Sequence, residues 1–129
     1  MNPFEILAAA GLVAAIIALA YVATTRDKIG SPVIAATLSG LFLGFTLVTI
    51  LRDGVLPVWT NHTTNLWGVQ VWWDLLFAVG IAAFFIVPRA RAQGMNVLPW
   101  LLFVAATASI GLLAMVARLF WLESRAKAD

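Results

Sequence analysis

The sequence predicts an all-α membrane protein, with four transmembrane helices in one antiparallel bundle, and three observations lead there. Four apolar stretches, each about the ~20 residues that cross a ~30 Å hydrocarbon core, occupy most of the chain. The charged residues fall almost entirely in the short breaks between them. The composition is 63% hydrophobic and 11% charged, with a mean hydropathy of +0.99, too apolar to clothe four helices in a water-facing surface. The expected spans are 4–23, 32–51, 66–87 and 97–122, forming a single domain over 1–129.

The first span opens on Asn2-Pro3, a capping side chain before a proline suited to the first helical turn. No Lys or Arg precedes its apolar run, and Ile6 to Ala23 is longer than the roughly 7–15 residues of a signal-peptide core, so it is read as a membrane helix. The second span opens in the same way on Ser31-Pro32. Its Gly40 and Gly44 form a GxxxG pair, expected to bring two backbones together inside the bundle. A polar loop, Arg52 to Asn65, follows and carries the single histidine, His62, read as a surface residue.

The third span, 66–87, holds one charge, Asp74, with Gln70 four positions earlier on the same helical face. Pro88 is expected to end it. Asn96 and Pro99 are expected to open the fourth, along which Thr107, Gly111, Ala114 and Arg118 share one stripe. Small and hydroxylated residues belong between membrane helices, which marks Gly111 as a packing residue beside Gly40 and Gly44. In an antiparallel bundle Asp74 and Arg118 approach the same surface, and each is costly alone in lipid. They are therefore expected to form an inter-helix ion pair or the polar mouth of a ligand site, with Gln70 and Arg52 nearby.

Four spans place both termini on one side. Basic residues divide evenly between the two sides. The absence of any basic residue before the first span tips the expectation to termini outside the cytoplasm, with Arg26, Lys28, Arg89 and Arg91 inside. Trp59, Trp67, Trp72, Trp73 and Trp121 then form an aromatic belt at the outer surface.

Reactive groupings are missing from the sequence. There is no cysteine, one histidine, no paired carboxylate within a span and no phosphate-cradling glycine loop. No metal site, cofactor or enzymatic activity is expected, and the basic residues at span ends read as topology signals rather than a nucleic-acid surface. The segment from Asn65-Leu66-Trp67-Gly68 through Trp73-Asp74-Leu75-Leu76, Arg89-Ala90-Arg91, Gly94-Met95 and Leu98-Pro99-Trp100 to Gly111-Leu112-Leu113 and Arg118 resembles a family of small four-helix bacterial inner-membrane proteins. The resemblance covers about the last half of the chain and implies a bacterial inner membrane, without implying an activity. The expected function is an accessory or assembly subunit of a larger membrane complex, whose partners are lipids and other membrane subunits. The rival is a module that binds or transports an apolar molecule, such as a lipid, quinone or pigment.

Overall fold

Helices account for nearly the whole chain in the computed structural model, which describes residues 1–129. They are α1 (Pro3–Thr24), α2 (Pro32–Asp53), α3 (Pro57–Thr63), α4 (Leu66–Ala92), α5 (Val97–Thr107) and α6 (Ser109–Ala128). Three of them, α1, α2 and α4, are long and apolar enough to cross a membrane. Their N-termini are capped by local polar side chains, which satisfy amides that a helix cannot satisfy itself. Asn2 and Glu5 form a reciprocal box: the Glu5 N–H donates to Asn2 Oδ1 at 2.9 Å, and the Asn2 N–H donates to Glu5 Oε2 at 2.7 Å. Ser31 Oγ accepts from the Ile34 N–H, and Asn65 Oδ1 from the Gly68 N–H.

The fourth expected span is not one helix. The chain breaks at Ala108, whose φ of 52° and ψ of −110° lie outside any helix, and α6 turns back along α5. At 11 residues α5 rises only about 16 Å, half of a hydrocarbon core. The reversal follows from what α6 meets. Ser39 on α2 donates to the Ile110 carbonyl at 2.8 Å, and Phe120, ten residues further on, packs against Gly30 below the start of α2. So α6 runs antiparallel to α2 and ends where α4 ends. There Arg89 holds Glu123 through Nε at 3.0 Å and through Nη2 at 2.8 Å. The C-terminal end of the chain therefore sits beside Arg89, not at the opposite end of α4 as four full spans require.

Pro88 does not end α4 either. A proline removes one N–H from the ladder but does not forbid the residues after it, and the helix continues to Ala92. It stops at Gly94, with φ of 73°, in a two-bond C-cap: Met95 N–H to the Ala90 carbonyl and Gly94 N–H to that of Arg91, both 3.0 Å. The expected loop 52–65 also holds structure, because Pro57 starts the short helix α3, which lies on the first turns of α4.

Packing concentrates on α6. It contacts α2, α4 and α5, and its Met115 and Leu119 are the largest fully buried side chains. Ala90, Val97, Val104 and Met115 form the small core, with Val79, Ile86, Trp100 and Leu112 around it. Gly111 lets the hairpin close: a Cβ there would sit 2.8 Å from the Phe103 carbonyl and 2.7 Å from Thr107 Oγ1. Only nine of the 129 residues are buried, so most apolar side chains face outward, an arrangement suited to lipid or to partner helices and unsuited to water. Every residue of α1 is exposed. The seam expected at Gly40 and Gly44 is not inside this chain, since nothing lies within 4 Å of a Cβ at either position.

Two outcomes test this packing by thermal unfolding in detergent. Gly30→Leu drives a side chain into the Phe120 ring, and its cost is expected at about 1–3 kcal/mol. Gly44→Leu is expected to stay within about 0.5 kcal/mol in the isolated chain. The reverse ranking would place the tight seam at Gly44. For the ion pair, Arg89→Ala strands a carboxylate with 12% of its side chain exposed, with an expected loss of about 1.5–3 kcal/mol. Combining Arg89→Leu with Glu123→Leu should recover part of that loss, whereas strictly additive losses would deny the coupling.

Candidate functional site

The residues that carry charge or hydrogen-bonding capacity gather at the two ends of the bundle. At the end where α2 stops and α4 begins, α3 makes an aromatic platform. Trp59 meets Trp72 edge to face at 6.3 Å between centroids, and the His62 ring lies 5.3 Å from Trp72. His62 Nδ1 is 2.5 Å from the Val58 carbonyl of its own helix, so the ring is oriented locally. Gly68 permits this close fit, because a Cβ there would run into the Asn61 carbonyl and crowd His62 Cα. The Thr60, Thr63 and Thr64 hydroxyls all bond back to carbonyls of the same segment, which leaves this short helix self-satisfied at its surface.

Asp74 lies on α4 beyond this platform and is exposed. With Gln70, Val71, Trp73 and Phe77 it lines an open recess of about 380 Å³. Trp73 packs on Phe77 at 5.5 Å, forming one wall. Trp67 is exposed at the same end, and Arg52, in the last turn of α2, is exposed there as well.

Arg118 is not part of this group. Because α6 turns back at Ala108, Arg118 stands near the Arg89 end, while Asp74 is about 22 Å away along α4 from Arg89. The only ion pair is Arg89 with Glu123. Arg118 instead stacks on Trp121 at 4.6 Å, and Arg125 stacks on the same indole at 4.7 Å. Trp121 thus leaves the belt expected with Trp59, Trp67, Trp72 and Trp73, and marks the opposite end. The stripe of Thr107, Gly111, Ala114 and Arg118 is likewise divided by the turn.

The Arg89 end holds the contacts that sequence reasoning missed. Arg89 has one face over the Phe120 ring at 5.7 Å and donates from Nη2 both to Glu123 and, at 3.1 Å, to the Lys28 carbonyl. One guanidinium therefore ties α4, α6 and the α1–α2 connection together. Its signal in the sequence was faint: Glu123 is an acid set among Arg118, Arg125 and Lys127. At the hairpin turn, the Thr107 hydroxyl donates to the Phe103 carbonyl and accepts from the Gly111 N–H, both at 2.8 Å. The signal for that turn was the run Thr107-Ala108-Ser109 in the middle of an apolar stretch.

No group of three or more His, Cys, Asp or Glu side chains converges anywhere in the chain. The arrangement offers hydrogen bonding and charge to a neighbouring molecule, through Asp74 and Gln70 at one end and through the basic residues at the other. No family model, curated protein or solved structure matches the chain at a significant level.

Proposed function

We propose that the chain is a non-enzymatic accessory subunit of a larger membrane complex, acting through lateral helix contacts. The observation that carries this reading is Asp74, a carboxylate on a helix of membrane-crossing length with no charge partner in its own chain. If Arg89 marks one membrane surface, Asp74 lies about 22 Å along α4, short of the ~30 Å that reaches the other. A carboxylate at that depth needs protein, water or an opposite charge, and lipid tails supply none of these. The fully exposed α1 and the open Gly40–Gly44 face add surface to which other helices can pack closely.

In this reading α1, α2 and α4 cross the membrane, and α5 with α6 forms a hairpin that enters and leaves on one side. Backbone turns at membrane depth are tolerated where protein covers them, and here α2 and two hydroxyls serve Ala108 and its neighbours. The membrane is proposed to be a bacterial inner membrane. Three crossings put the termini on opposite sides. The Arg89 end then collects Arg26, Lys28, Arg89, Arg91, Arg118, Arg125 and Lys127, against Arg52 alone at the other. The excess of basic residues at that end supports a cytoplasmic placement for it and for the C-terminus. This replaces the even division that four spans implied.

The rival reading, a site for an apolar ligand, draws on the recess beside Asp74, which joins two polar groups to the Trp73 and Phe77 rings. It no longer includes Arg118.

A fluorescent-protein fusion at Asp129 is expected to be bright and an alkaline phosphatase fusion there inactive. The opposite pair of results overturns the orientation. In mild detergent the chain is expected to co-purify with membrane partners in stoichiometric amounts. Asp74→Ala should weaken that association at least tenfold while leaving the chain's own thermal unfolding unchanged, and Arg52→Ala should not. A chain that runs alone with a bound small molecule lost on Asp74→Ala would move the ligand reading ahead.

A further inference from the structure

The α1–α2 connection and the last turns of α6 enclose a recess of about 590 Å³ at the Arg89 end, lined by Arg26, Asp27, Lys28, Ile29, Ser124 and Lys127. Three of these six side chains are cationic and one is acidic, so the lining carries a net positive charge at neutral pH. Glu123, on the neighbouring turn of α6, is already held by Arg89. The cations come from segments about 100 residues apart in sequence, brought together by the fold. The Arg89 bond to the Lys28 carbonyl fixes the loop, and Phe120 packed under Gly30 fixes α6 against it. An anion entering the recess would meet a net positive field from this lining.

We propose that this recess binds the phosphate group of an anionic membrane lipid. Lys28 and Lys127 supply mobile ammonium donors, Arg26 a planar donor set, and the Ser124 hydroxyl a neutral donor suited to a phosphate oxygen. The lipid is favoured over free phosphate by position. The loop follows the last turn of α1 and the recess lies level with Trp121, whose two arginine partners mark an interfacial aromatic. Basic recesses between helices on the cytoplasmic side suit anionic headgroups. The site rests on the membrane reading above but is independent of the accessory role.

The test uses the full chain, stripped of lipid in a neutral detergent, with binding read by native mass spectrometry. Phosphatidylglycerol is expected to bind at least tenfold more tightly than phosphatidylcholine of the same acyl chains, with inorganic phosphate competing only at millimolar concentration. Lys28→Gln with Lys127→Gln should weaken phosphatidylglycerol roughly 25-fold, at about fivefold for each surface cation lost. Lys28→Arg with Lys127→Arg should restore it, and Arg52→Gln should leave it unchanged. Both lysines are exposed, and an unchanged melting temperature confirms that the variants remain folded. Equal binding of the two lipids, or full binding by the double glutamine variant, overturns the site. Inorganic phosphate competing at the lipid's own concentration overturns the lipid as its source. Release of the chain from membranes by carbonate overturns the membrane reading itself, whereas a carbonate-resistant chain with equal lipid binding overturns the site alone.

Discussion

The turn at Ala108 is the constraint from which the rest of the architecture follows. A helix that reverses direction leaves carbonyls at the end of one arm and amides at the start of the next without ladder partners. At that point the Thr107 hydroxyl serves both arms, and the Ser39 hydroxyl of α2 reaches the Ile110 carbonyl. Gly111 allows the arms to close, and Ala108 accepts a backbone conformation that costs on the order of 1–3 kcal/mol. Because the chain turns there, α6 ends beside α4's last turn instead of its first. The placement of the C-terminus, the gathering of basic residues at one end and the separation of Asp74 from Arg118 all descend from that reversal.

A second consequence is an uneven bundle. Near the Arg89 end α6 fills the space among α2, α4 and α5, and all the buried residues lie there or at mid-height. Beyond Ser39, α2 meets no helix of its own chain along most of its length, and Thr46 is its only half-buried residue there. The well-packed end is also the charged end, where a single arginine joins three segments. The loosely packed end carries Asp74 and Gln70. Self-contained packing is thus confined to one end, while both ends carry polar groups open to a neighbour.

The sequence revealed what is local and concealed what is distant. Asn2 and Ser31 were legible as caps because each bonds an amide three residues on, and the three long apolar helices were legible from length and hydropathy. The Ala108 turn was hidden because it uses neither glycine nor proline at the break, and an apolar run reads alike whether it crosses or doubles back. Reading that run as one span puts Arg118, Trp121 and the C-terminus at the end of the bundle opposite the one they occupy. The Ser39 bond joins residues 71 apart and the Arg89–Glu123 pair residues 34 apart, separations at which periodicity says nothing. Pro88 misled for the opposite reason: a strong local signal was outweighed by the Gly94 cap and by burial of Ala90. At Asp74 the sequence identified an unusual residue but could not show that its face is open.

The helix at the centre of the bundle is also the last to be made. α2 has its principal partner in α6, so during synthesis it must wait while about 70 further residues are added. At ~5–20 residues per second that interval is on the order of 4 to 14 s, long compared with helix formation. Until then α1, α2 and α4 share almost no contacts and are held together only by the segments that connect them. Assembly therefore depends on a late event, in which the α5–α6 hairpin packs among helices made before it. A nascent chain of this design spends its longest unassembled period with α2 uncovered, and that is the period in which a competing helix would find it.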